Sequence, residues 1–192
     1  MSRPSSNSNS EAPNDETLAV RARDGDAQAF NLLMRRHAPA LVNFLTRLVG
    51  GRDDAEDVAQ NTFVAIHRNL HRYDENRSFV TWMYFIARNK AKDHHRRRTV
   101  LRWVGLEDDG IHVPSREADP ETEAGDRDDL RHLFGLIDKL PEGLRVPLLL
   151  SAFDGLSLAQ IGEVMGISAK AAEVRVYRAR KLLKERFGHE EQ

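Results

Sequence analysis

From Glu16 to Gly50, apolar side chains return every three or four residues: Leu18, Ala22, Ala29, Phe30, Leu33, Met34, Leu41, Phe44, Leu45 and Leu48. That spacing lines them up along one side of an α-helix, whereas a strand would need alternation at every second residue. The other periodic segments keep the helical period, and no stretch has a strand pattern or repeats another. The chain is therefore expected to be all-α.

Within that first stretch, Gly25 and Pro39 are expected to break the pattern into shorter helices, and Gly50-Gly51 to end it. The next helix opens on Asp53, Asp54, Glu56 and Asp57, acids that favour the partly positive start of a helix. Its apolar stripe is Ala55, Ala59, Phe63, Ile66 and Leu70, with Asp57, Gln60, Asn61 and Asn69 on the other side. After a polar loop, Tyr73 to Ser78, a third strong helix covers about Phe79 to Arg98, apolar early and basic late. Periodicity is lost from Val100 to Asp126, where Gly, Pro and acids dominate, the composition of a solvated linker. Helices resume over Leu130–Leu140, about Glu142–Phe153, Ser157–Met165 and about Ala169–Phe187. Pro147 falls inside the second of these and is expected to kink it or delay its start.

This pattern gives two small helical domains on one tether. Residues 1–14, rich in Ser, Asn and Pro, are expected to be a disordered leader and lack the apolar core of a secretory signal. Residues 15–99 make the first domain, 100–127 a flexible acidic linker and 128–188 the second domain. No run approaches the roughly 18 apolar residues that a spanning helix needs, so the expected location is the cytoplasm. With 0 cysteines, disulfides, thiol chemistry and cysteine-containing zinc sites are excluded. Neither HExxH nor a glycine-rich phosphate loop is present. His67 with His71 and the adjacent His94-His95 are the suggestive histidine spacings, and a solvated helix face accounts for the first pair. No enzyme activity, metal or cofactor is expected.

The net charge of −1 conceals segregation. Arg88–Arg98 and Lys170–Arg186 are basic, whereas Glu107–Asp129 is strongly acidic. Two basic surfaces separated by an acidic segment suggest that one nucleic acid is gripped in two places.

The sharpest local signal is GLSLAQIGEVMGISAKAAEVRVYRARKLLKERF, Gly155 to Phe187. Leu158, Ile161 and Met165 form one buried face, Gly166 allows a tight turn, Ile167 plugs the gap, and Ser168 can cap the second helix. That helix buries Ala172, Val176, Ala179 and Leu183 and exposes Lys170, Arg175, Arg178, Lys181 and Lys184. The result is a helix-turn-helix whose second helix suits a major groove. An ordinary amphipathic helix pair would share the stripe, but it would need neither this turn chemistry nor this excess of cations. The second signal is FVTWMYFIARNKAKDHHRRR, where Phe79, Trp82, Tyr84 and Phe85 precede a basic tail. Rings offer faces to unpaired bases and cations hold the backbone; alternatively, Trp82, Phe85 and Ile86 are core and the tail is a solvated helix end.

DDAEDVAQNTF, a Tyr-containing loop and FVTWMYFIARNKAKDHHRRR, in that order, resemble region two of extracytoplasmic-function sigma factors of the sigma-70 family. LPEGLRVPLLLSAFDGLSLAQIGEVMGISAKAAEVRVYRARKLL resembles their region four. The resemblance implies promoter-specific transcription initiation, with core RNA polymerase, promoter DNA and an anti-sigma factor as partners. It assigns Asp54, Asp57, Gln60 and Phe63 to the clamp of the polymerase's largest subunit, Phe63 being equally a core position by its stripe. The loop with Tyr73, Asn76 and Arg77, and the helix with Phe79, Trp82, Arg88, Asn89, Lys92 and His94, fall to the opened −10 element. Ser168, Lys170, Ala171, Glu173, Arg175, Arg178 and Lys181 fall to the −35 element. The linker matches the segment that family members thread near the polymerase active site. Where the family often has a basic or small polar residue, this chain has Glu173, which either accepts from a cytosine amino group or faces solvent. A sigma-like decoy that binds an anti-sigma protein without DNA would keep these folds, but it need not keep Arg96, Arg97, Arg98 or a basic recognition helix.

Overall fold

The computed structural model describes residues 13–103 and 132–189. The rest of the expected leader and linker lies outside them. All regular structure among the described residues is helical: α1 (Asp15–Arg23), α2 (Ala27–Val49), α3 (Arg52–Asn69), a 3-10 turn (Leu70–Arg72), α4 (Phe79–Trp103), α5 (132–138), α6 (Glu142–Ala152), α7 (Leu158–Met165) and α8 (Ala169–His189).

Helices α1 to α4 pack around the stripe read from the sequence, with Leu18, Leu33, Leu41 and Leu45 at most 1% exposed. Ala55, Ala59, Phe63, Ile66 and Leu70 are buried from α3 and its 3-10 turn. Complete burial of each large apolar side chain contributes roughly 1.5–3 kcal/mol relative to exposure. The leader does not stop short of the fold, because the Asn14 side chain accepts from the Thr17 N–H at 2.8 Å and caps α1. Asp15 then ties α1 to α2 by accepting from Arg36 and by pairing with His37 Nε2 at 2.7 Å.

Pro39 does not break the second helix, and α2 runs through it. Pro39 lies on the exposed side of the helix, as does Arg35, whose backbone carbonyl it leaves without its helical partner. Packing along the rest of α2 outweighs the one missing bond. Pro147 does not delay α6, which starts at Glu142. The partner it forgoes is the carbonyl of Gly143 in the opening turn, where Leu144 and Arg145 N–H groups instead converge on the Pro141 carbonyl. Helix α4 extends to Trp103, four residues into the expected linker.

The C-terminal helices α5 to α8 bury Leu136, Ile137, Val146, Leu149, Leu150, Ile161, Val164, Ala172, Val176 and Ala179. Leu158, expected inside, is 36% exposed, and Val164 takes its place. The two groups of helices also touch each other. α7 packs on α4 and α6 on α2, whereas repulsion between two basic surfaces suggests units joined by the tether alone. The surfaces that meet are mixed rather than uniformly basic: Glu142 and Asp154 face Arg88, Lys92 and Tyr84.

Candidate nucleic-acid interface

The helix-turn-helix is fixed at each joint by the residue type its geometry requires. Ser157 caps α7 in a reciprocal capping box with Gln160, whose side chain accepts from the Ser157 N–H at 2.9 Å. Gly166 ends α7 at φ +67°, a left-handed conformation that suits glycine. The Ser168 hydroxyl accepts from the Ala171 N–H at 3.1 Å and starts α8. One requirement is not evident from the sequence. A Cβ on Gly162, in the middle of α7, would sit 2.8 Å from the Ile167 carbonyl and 3.2 Å from the Ala169 nitrogen. Only a residue without a side chain lets α7 approach the turn so closely.

On α8 the exposed positions Lys170, Glu173, Val174, Tyr177, Arg178 and Lys181 recur at three and four residues and share one face. Val174 (38% exposed) and Tyr177 (67% exposed) are apolar surfaces on that face, suited to a thymine methyl. Their spacing to Lys170 makes them legible in the sequence, but a reading led by charge does not single them out. Arg175 lies off this face beside the core stripe and is half-buried; its guanidinium approaches Gly143 of α6. Ser168 and Ala171 lie at the N-terminal edge, the first exposed and the second half-buried. The Glu173 carboxylate is 2.8 Å from Lys170 Nζ, so neither charge stands alone.

The residues assigned to the −10 element divide in two. Asn76 and Arg77 are exposed on a loop held by Asp74, whose carboxylate accepts from the Asn76 N–H at 3.0 Å. Those hydrogen bonds keep the Asp74 carboxyl below its usual range. Tyr73 and Phe79 are 4% and 1% exposed and cannot offer their faces to a base in this conformation. They pack edge to face at 6.0 Å, with half-buried Trp82 5.3 Å from Tyr73. The Tyr73 hydroxyl donates to the Arg77 carbonyl at 2.7 Å, and burial, then the charge of Glu16, pushes it up to about 12. Their part is to shape the loop. Likewise Tyr84 is core, edge-on to Phe44, whereas Phe85 is 44% exposed.

Further along α4, Arg88, Asn89, Lys92 and His94 are half-buried. A groove between α3 and α4 is lined by Asp54, Asp57, Asn61, Lys90, His94 and Arg97 among others. Asp57 and Gln60 are exposed beside it. Asp54 is bound at 2.7 Å by Arg98 and lies 3.6 Å from His94, so it joins α3 to α4. Phe63 is buried at 7% exposure, which makes it a core residue. His67 and His71 are exposed, and Phe30 packs on the edge of His67.

The model of Sigma-70 region 2 matches residues 33–100 and that of Sigma-70 region 4 matches residues 132–183. The ECF RNA polymerase sigma-E factor of Haemophilus influenzae is 33% identical over 182 residues, covering 90% of this chain and 95% of its own. The RNA polymerase sigma factor CarQ of Myxococcus xanthus is 36% identical over 169 residues, covering 88% and 94%. Among solved structures, CnrH in complex with the cytosolic domain of CnrY aligns at a TM-score of 0.70 and 30% identity, covering 91% of this chain and 97% of that one. The order of the two regions, the helical fold and the identity along nine-tenths of the chain agree, and the chain belongs to the sigma-70 family as an RNA polymerase sigma factor of the extracytoplasmic-function type.

Proposed function

We propose that the chain works in the cytoplasm by docking on the clamp of core RNA polymerase through α3, holding the opened −10 strand along α4 and reading the −35 element with α8. The observation that carries this reading is the shared face of Lys170, Val174, Tyr177, Arg178 and Lys181 on α8 behind a fully capped turn. Asp57 and Gln60 are the exposed polar groups on α3 available to the clamp, with Asp54 supporting them from its ion pair with Arg98. At the −10 element, Asn76 and Arg77 present the loop, and Trp82, Arg88, Asn89, Lys92 and His94 hold the strand. Opening the strands draws on binding energy for unpaired bases rather than on hydrolysis. An anti-sigma factor is the further partner proposed, and the likeness to CnrH, solved with the cytosolic domain of CnrY, supports it.

Reversing one docking charge tests the α3 assignment. Asp57→Lys should weaken the affinity for core polymerase by about tenfold or more, because it replaces the exposed carboxylate proposed to meet the clamp with a longer side chain of opposite charge. Asp57 is exposed, so the thermal midpoint should hardly move. Competition against a labelled sigma factor measures both binding constants. Equal affinities would remove Asp57 from the docking surface.

A further inference from the structure

Helix α8 starts at Ala169, and its first turn holds no acid but does hold a cation, Lys170. One helical turn on, Glu173 sets a carboxylate oxygen 2.8 Å from Lys170 Nζ, and the two side chains are 79% exposed for Lys170 and 50% for Glu173. Helix stability does not account for this pair. A cation sits poorly at the partly positive start of a helix. The favourable order places the acid before the lysine, and here the order is reversed. A pair this open to water also contributes little. Phosphate binding does not account for it either, because a carboxylate repels the DNA backbone that Lys170 attracts. Both residues nevertheless lie in the N-terminal part of α8, the part of a recognition helix that meets base edges, and Glu173 shares the exposed face with Val174 and Arg178.

The pair has the pattern of a base pair. In the major groove cytosine offers an amino donor and no acceptor, while its guanine offers O6 and N7 as acceptors. The cytosine amino group and guanine O6 are hydrogen-bonded to each other, so they lie about 2.9 Å apart. The charged atoms of Lys170 and Glu173 have the same separation, 2.8 Å. We infer that Lys170 and Glu173 together read one C·G pair of the −35 element, the carboxylate accepting from the cytosine amino group and the ammonium donating to O6 and N7 of the guanine. This rests on the assignment of α8 to the −35 element given above. The ion pair stays intact in the complex, so neither charge enters the groove uncompensated.

The other base pairs fit less well, each for a stated reason. G·C and T·A put an acceptor against the carboxylate and an amino group against the ammonium. A·T keeps the order of donor and acceptor, but it brings adenine N7 beside the carboxylate and a thymine methyl where guanine N7 would be. The order of preference is therefore C·G, then A·T, with G·C and T·A last, and repulsion sets it as much as attraction.

The test uses core polymerase carrying the full-length chain and a promoter that it transcribes, with each base pair of the upstream element changed in turn to the other three. One position should show this order, with about tenfold or more in affinity between first and last. Exchanging the residues, Lys170→Glu with Glu173→Lys, keeps the net charge and should bring G·C to first place. Glu173→Gln should bring A·T to first place, because glutamine pairs in bidentate fashion with adenine N6 and N7. Both positions are exposed, so these variants keep the fold. If neither variant alters the ranking at any position while Arg178→Ala weakens promoter binding, the C·G reader is overturned and α8 keeps its place on the −35 element. Tighter binding of all sequences alike by Glu173→Gln, with the ranking kept, also overturns it, the acid then only repelling the backbone. No effect from any of the three variants overturns the assignment of α8 itself, and the reader with it.

Discussion

Gly162→Val should abolish −35 recognition while leaving α1 to α4 folded. The smallest added side-chain atom would already meet the Ile167 carbonyl at 2.8 Å, the Ala169 nitrogen at 3.2 Å and the Ser168 carbonyl carbon at 3.3 Å. All three are backbone atoms of the turn, so no side chain can swing aside. Relief requires α7 to move away from α8, which loosens the core in which Ile161, Val164, Ala172 and Val176 are buried. Overpacking of this kind costs about 1–3 kcal/mol, and valine adds two methyl groups beyond the Cβ. The C-terminal helices share a small core, so the loss is a large part of their stability. Hydrogen exchange should show α7 and α8 opening while α2 and α3 stay protected. Unchanged protection of α8, with promoter selection intact, would mean that the turn tolerates the extra volume.

Arg178→Ala is the second large effect. Arg178 is exposed on the face shared with Val174 and Tyr177, opposite buried Ala172, Val176 and Ala179. If its guanidinium pairs in bidentate fashion with a guanine edge, the variant should cost about 1–3 kcal/mol and relax preference at one base pair. If it grips a phosphate instead, the variant should weaken binding to all sequences alike and lower the salt slope by about one unit. Arg175→Ala should have the smaller effect on base preference, because its guanidinium lies against α6 rather than on that face. Binding of polymerase carrying each variant to a set of single-base promoter changes separates these results. An Arg175 effect larger than that of Arg178 would place the reading face elsewhere on α8.

Helix identity is legible because it depends on local period and on caps: Ser157, Gly166 and Ser168 each signal a joint in the sequence, and each performs it. What the sequence hides depends on which side of a helix meets another. Pro39 is tolerated on the exposed side of α2, where the packing of the rest of the helix outweighs one missing bond, a balance that a reading by helix breakers does not contain. Tyr73 and Phe79 have the ring chemistry of a base platform, yet they are consumed by packing on each other and beneath Trp82. Gly162 reads as an ordinary helix residue because the backbone that crowds it comes from the turn that follows. The interface between the two groups of helices is hidden for a related reason. Charge totals for each surface suggest repulsion, whereas the interface is made by individual acids, Glu142 and Asp154, set against individual cations and a hydroxyl.

Whether this chain gives core polymerase a choice of promoter is measured most directly by run-off transcription. Purified core enzyme lacking any sigma factor is supplied with the full-length protein and a pool of genomic fragments, and the 5′ ends of the transcripts are sequenced. A sigma factor of this kind should produce a small set of discrete start sites that share an upstream element, that vanish without the protein and that disappear with Gly162→Val. Transcripts scattered at the level of core enzyme alone, in the presence of protein shown to bind that enzyme, would contradict it.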